Sequence, residues 1–180
     1  NRSDVDGAAF GLQDSRREET QVTAAVIVSL RVSAPPARAF EAFTEEIGEW
    51  WRSHPLFQLT PDGDGYLRFE PGEGGRLIAT LANGKQFEVG RITVWKPGER
   101  LALTWRQATF APDQATELDV RFEAIGDETR VTVEHRGWNL IPQDHAARHG
   151  FDLLLFQRRQ ADHWRILLAS LNAVLRDASK

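Results

Sequence analysis

At 180 residues, with 41% hydrophobic and 27% charged side chains, the chain is long enough to bury a core and has the balance of a water-soluble globule. A net charge of −4 excludes the basic footprint of a nucleic-acid or anionic-membrane binder, and no apolar run reaches the ~18 residues of a membrane span. Zero cysteine excludes disulfides, thiolate catalysis and Cys-based zinc sites. Residues 1–19 lack the apolar stretch of a secretory leader, which points to the cytoplasm. No Met is present, not even an initiator, so the sequence is expected to be trimmed or to lack modified methionines.

Residues 1–21 are polar and read as a tail, ahead of one domain over 22–178. Residues 22–32 alternate, with Val22, Ala24, Val26, Val28, Leu30 and Val32 on one face, which predicts a strand. Ser33 is placed to cap a helix that Pro35 and Pro36 open. Two short helices are expected, over 37–44 with Phe40 and Phe43 facing in, and over 45–51 with Ile47, Trp50 and Trp51. The prolines and glycines of 54–65 predict a loop.

Six strands follow, over 66–70, 76–81, 85–95, 100–107, 116–124 and 129–136, each ended by a turn signal. Asn83-Gly84 is the strongest of these. In 116–124, Leu118, Val120, Phe122 and Ala124 oppose Glu117, Asp119, Arg121 and Glu123. One apolar and one wet face means an antiparallel sheet that needs a cover.

The cover is the last apolar run. Trp164, Leu167, Leu168, Leu171, Val174 and Leu175 form one helical stripe, and Gln157 and Gln160 fall on the same side. Residues 142–149 are expected to begin this helical region, with Asp144 as cap and Gly150 as a bend. Phe151, Leu154 and Leu155 lie on the reverse side and are expected to meet a loop, the tail or a second copy of the chain.

The predicted architecture is α+β: a curved antiparallel seven-stranded sheet, two short helices after the first strand, and a long C-terminal helix across the sheet. A single helix cannot fill such a face, so a cavity between sheet and helix is expected. This order, with local residues, resembles the START-like (SRPBCC, Bet v 1-like) superfamily and within it the AHSA1-like family, named after the activator of the Hsp90 ATPase. The matching residues are Ala34-Pro35-Pro36-Ala37-Arg38-Ala39-Phe40 with Phe43-Thr44, the pair Trp50-Trp51, and Phe69-Glu70-Pro71-Gly72 with Gly74-Gly75-Arg76. They continue through Gly90-Arg91-Ile92, the run from Trp95 to Leu101, Leu103-Thr104-Trp105, Thr116-Glu117-Leu118, Thr129-Arg130-Val131 and His135-Arg136-Gly137-Trp138, to Trp164, Leu167, Leu168 and Leu171. Two features depart from the family pattern. His163 stands where the family usually has Gly before the final-helix Trp, and residues 141–161 are longer and greasier than usual. The resemblance implies a helix-grip fold with an apolar cavity and a stress-response setting, but no single activity.

Candidate ligand-binding residues are Trp51, Arg91, Trp105, His135, Phe156, Gln157, Gln160 and Trp164. His135 has two open readings, a proton carrier in the pocket or a hydrogen bond to backbone that steadies the turn at Gly137. Arg91 has an inward reading, facing an anionic ligand, and an outward one. His145 and His149 have the i, i+4 spacing of metal ligands on a helix, but no third ligand accompanies them and no metal is expected. Asp62-Gly63-Asp64-Gly65 lacks the closing Glu of a calcium loop. No nucleophile motif or phosphate loop is present, and no cofactor is expected. The chain therefore reads as a binding module for a small apolar or amphipathic molecule. The alternatives are an enzyme using His135 in acid–base chemistry, cyclase- or hydrolase-like, and a chaperone-associated regulator of an Hsp90-type ATPase. No nucleic-acid partner is expected, and a homodimer through Phe151, Leu154 and Leu155 is the protein partner considered.

Overall fold

A computed structural model describes the chain from Ala25 to Lys180. Its elements are β1 (Ala25–Val32), α1 (Pro36–Glu45), α2 (Ile47–Trp50), β2 (Tyr66–Phe69), β3 (Arg76–Thr80), β4 (Gln86–Lys96), β5 (Arg100–Trp105), β6 (Thr116–Ile125), β7 (Glu128–Arg136) and α3 (Leu153–Ala178). The tail expected over 1–21, and residues 22–24 of the first strand, lie outside the described residues.

The strands form one antiparallel sheet in the order β1-β7-β6-β5-β4-β3-β2, with α3 lying against β1 and both short helices. This is the expected helix-grip arrangement. The alternation read in β1 and β6 is the alternation observed: Val26, Val28 and Val32, and Leu118, Val120 and Phe122, are buried on the inner face. Two register shifts, one in the pairing of β4 with β3 and one in its pairing with β5, place extra residues in β4. Bulges of this kind bend a strand, and here they help curl the sheet around α3. Gly90 lies at the first of them, where β4 passes closest to the Thr104 carbonyl of β5.

Phe40 and Phe43 of α1, with Trp50 of α2, pack into the main core against Phe122. Burying each phenyl ring stabilises by about 1.5–3 kcal/mol. From α3, Trp164, Leu167, Leu168, Leu171 and Leu175 enter the same core, and Val174 is half-buried at its edge. A second cluster joins Phe57, Phe110, Trp138, Ile141, Ala147 and Phe156 under the start of α3.

Three local expectations are corrected. Ser33 does not cap α1. Residues preceding proline stay extended, so Pro35 holds the cap position and Ser33 lies too early in the chain. The Ser33 backbone N–H instead donates to Asn172 Oδ1 at 2.9 Å, tying the end of β1 to α3. Asp144 caps nothing in α3, because residues 142–149 are not part of that helix. They form a loop with a 3-10 turn over Ala146–Arg148, and His149 and Gly150 both adopt positive φ, which ends the turn. The cap of α3 is Asp152, whose Oδ1 accepts the Leu155 N–H at 2.8 Å.

His145 and His149 consequently do not share a helix face. Each Nε2 donates to a carbonyl across a gap, His145 to Thr109 at 3.1 Å and His149 to Leu56 at 2.6 Å. They latch the loop to its neighbours. Arg148, between them, is buried; its guanidinium donates to the Ile141 and Phe151 carbonyls, each at 2.8 Å, and lies over the Phe156 ring.

Of the three reverse-side residues, Phe151 is accounted for within the chain, against the second cluster. Leu154 and Leu155 are 60% and 37% exposed. No helix among the described residues is long and apolar enough to cross a membrane.

Candidate functional site

Where the sheet curls beneath the first half of α3, the indoles of Trp51, Trp105 and Trp164 meet. Their ring centroids are 5.8 Å apart for Trp51–Trp105, 6.1 Å for Trp51–Trp164 and 6.4 Å for Trp105–Trp164. Trp51 is anchored by its Nε1–H, which donates to Asp64 Oδ2 at 2.8 Å; Asp64 Oδ1 accepts the Leu59 N–H at 2.8 Å. The Asp-Gly-Asp-Gly turn is thus a clamp for this loop.

The three indoles occupy most of the space that a helix on a curved sheet would leave open. What remains is a chamber of about 20 Å³, bounded by these rings with Phe57, Gln107, His135, Gln160 and His163. That volume suits about one water molecule. On the far side of Gln107 lies a second hollow of about 200 Å³, between the 55–61 loop and the 146–149 turn. Gln107 lines both and is itself only 5% exposed.

The polar walls of the chamber are ordered. Thr116 Oγ1 donates to the Trp105 carbonyl at 3.1 Å and lies 2.7 Å from His135 Nε2. On the other side of the ring, Gln160 Nε2 lies 3.3 Å from His135 Nδ1. Burial pushes His135 down to about 3. His163 is lowered to about 4, first by burial and then by the neighbouring His54. Both rings are therefore neutral near pH 7. Both nitrogens of His135 are engaged by side chains. The backbone bond near Gly137 is replaced by side-chain bonds to Thr116 and Gln160.

Five of the eight predicted residues line the chamber: Trp51, Trp105, His135, Gln160 and Trp164. Three do not. Arg91 faces outward and pairs with Glu88 at 2.8 Å. Its neighbour Ile92 is buried, and successive side chains in a strand point to opposite faces. Phe156 is buried in the second cluster, 4.7 Å from Trp138 by ring centroid. Gln157, a turn before Gln160 on α3, is half-buried but does not line the chamber, and its buried Nε2 lacks a partner among the described residues. No group of three or more His, Cys, Asp or Glu among the described residues is arranged to hold a metal.

Four residues at the chamber escaped the sequence reading. Gln107 continues the inward period of Leu101, Leu103 and Trp105, and Thr116 that of Leu118 and Val120, so both carried a signal. His163 lies three positions after Gln160 on a helix, which puts it on the same side. Phe57 comes from a loop and carried none.

The family model for "Activator of Hsp90 ATPase homolog 1-like protein" matches residues 33–176. The chain belongs to this family. Several solved structures share the fold. Protein MLL2253 of Mesorhizobium loti is 20% identical, with a TM-score of 0.61, and the match covers 87% of this chain and 98% of that one. The Aha1 dimer from Colwellia psychrerythraea is 18% identical, with a TM-score of 0.55, over 84% and 95%. DynU16, a protein of the dynemicin biosynthetic locus, is 17% identical, with a TM-score of 0.57, over 85% of this chain and 47% of its own. No curated protein matches the chain in sequence. The His163 imidazole stacks on Phe57, with centroids 5.5 Å apart and planes 17° from parallel, and forms part of the chamber wall.

Proposed function

We propose that this AHSA1-like protein binds a small apolar or amphipathic molecule between the sheet and α3. The observation that carries the reading is the position of Gln107 as the shared wall of the aromatic chamber and the 200 Å³ hollow. Movement of one amide side chain, with the Phe57 and His163 rings, joins the two spaces, about 20 and 200 Å³, into a site below the ~300 Å³ of ordinary ligand pockets, which limits the ligand to a small ring system. The aromatic walls provide apolar and stacking contact, and the buried amides provide orientation. Catalysis by His135 has less support, since burial pushes it down to about 3 and leaves it a weak base near pH 7.

Saturable quenching of tryptophan fluorescence by flat aromatic probes is the expected result, because three indoles border the chamber. Q107W should weaken such binding by about tenfold or more by filling the passage, whereas H163A should preserve or tighten it by enlarging the chamber. A flat titration with every probe in both wild type and H163A would overturn the reading.

We also propose that Leu154 and Leu155, exposed side by side on the first turn of α3, are where two copies of the chain meet. The Colwellia psychrerythraea relative is a dimer. Light scattering should give twice the chain mass for wild type and the single-chain mass for an L154E/L155E variant; a wild-type monomer at high concentration would count against it.

A further inference from the structure

The hydrogen bonds beneath the chamber run in one direction, and this assigns a polarity to its wall. Thr116 has a single hydroxyl hydrogen, and it is given to the Trp105 carbonyl. The 2.7 Å contact between Thr116 Oγ1 and His135 Nε2 must then be a donation from the ring. A neutral imidazole has one donor and one acceptor nitrogen, so His135 Nδ1 is the acceptor. Only the amide nitrogen of Gln160 can satisfy it, which is the atom found 3.3 Å away. Gln160 is held with its nitrogen toward the ring, and its Oε1 is left buried with no partner among the described residues. A buried carbonyl oxygen without a donor is unfavourable, and a ligand that supplies the donor recovers that cost.

Among the described residues, the same wall carries no cation: the basic side chains lining the chamber are the neutral rings of His135 and His163, and Arg91 is on the outer face. A carboxylate brought here would lose its water and face an acceptor oxygen. We propose that the chamber selects a neutral, flat aromatic molecule carrying a hydroxyl that donates to Gln160 Oε1, with His135 and Thr116 as positioning residues that fix the amide. This rests on the reading of the chamber as a ligand site.

Three probes of one ring size separate the possibilities: 2-naphthol, its methyl ether 2-methoxynaphthalene, and 2-naphthoate, titrated near neutral pH by tryptophan fluorescence and calorimetry. The naphthol should bind about 10- to 100-fold tighter than the ether, and the naphthoate weakest. Q160M, which keeps the side chain's length, should bring naphthol and ether to within about twofold by removing the acceptor. T116V should shrink the preference and T116S should keep it, a rescue that a purely structural role for the position would not show. Ether or naphthoate binding as tightly as naphthol to the wild type would overturn the selection while leaving the ligand site intact. Failure of all three to bind would overturn the ligand site itself. Should Q160M fail to fold, the wild-type comparison alone decides.

Discussion

Lowering the pH from 6.5 to 4.5 should destabilise the protein by a few kcal/mol, before the contribution of Glu70 begins to be lost. The cause is the pair of buried imidazoles. His135 has its pKa lowered from 6.5 to about 3 by burial, and His163 from 6.5 to about 4 by burial and by His54. Between those values the unfolded chain binds protons that the folded chain refuses, so stability rises with pH across the window. It is fully present above the ordinary histidine value and drains away as pH falls through it. His135, only 1% exposed, contributes a slope of up to about 1.4 kcal/mol per pH unit. Glu70 acts in a different window. Its bond to Arg76 lowers it from 4.5 to about 2, so its contribution is present above 4.5 and lost below. Urea midpoints at constant ionic strength should therefore fall between pH 6.5 and pH 4.5, the interval before Glu70 enters, and H163F should flatten that limb while keeping the stack on Phe57. Midpoints that stay level through this interval would show the rings to be hydrated.

Replacing Gly90 with alanine should lose about 3 kcal/mol or more. A Cβ at this position would lie 1.7 Å from the Thr104 carbonyl oxygen and 2.8 Å from its carbon. Those atoms belong to the backbone of β5 and cannot swing aside. Relief requires the strands to part, which would disturb the Arg106 N–H to Val89 carbonyl bond of 2.8 Å and the Arg91 N–H to Thr104 Oγ1 bond of 3.0 Å. Trp105 follows Thr104, so the near-ultraviolet dichroism of the indole cluster should change with the melting temperature. Gly48→Ala is the control. Its Cβ meets the ring of Tyr66 at 2.6 Å, but that side chain is 63% exposed and can move away. Alanine also favours a helical backbone, so this variant should be near neutral. Equal melting temperatures for G90A and G48A would refute the close-approach argument.

Much of the fold was legible because strand alternation and helical periodicity report burial directly. The inner faces of β1 and β6, the Asn83-Gly84 hairpin and the buried stripe of α3 follow from patterns within about ten residues. Arg91 was also decidable: Ile92 had to be buried, and a strand leaves its neighbour no choice of face. The 142–149 segment misled because His145 and His149 have helical spacing, whereas two consecutive positive-φ residues break the chain there. Only Gly150 of the two announces itself as a residue at ease in that region.

The resemblance pointed to a cavity, and the structure shows how little of it is open. Sequence alone determined the sheet, the covering helix and the inward set Trp105, His135, Gln160 and Trp164, because each is fixed by the periodicity of its own element. Tertiary structure decided the size of the chamber and the identity of its remaining walls. Trp51 and Phe57 reach it from loop whose course is set by Asp64 and by contacts across the fold. Whether three indoles leave room between them depends on their mutual angles, which no local pattern encodes. The direction of the His135 relay is decided in the same way: Thr116 and His135 pair across neighbouring strands, and Gln160 meets them from α3. A hydrogen bond between elements distant in sequence has no period to read, and its sense is set only when donor and acceptor are brought face to face.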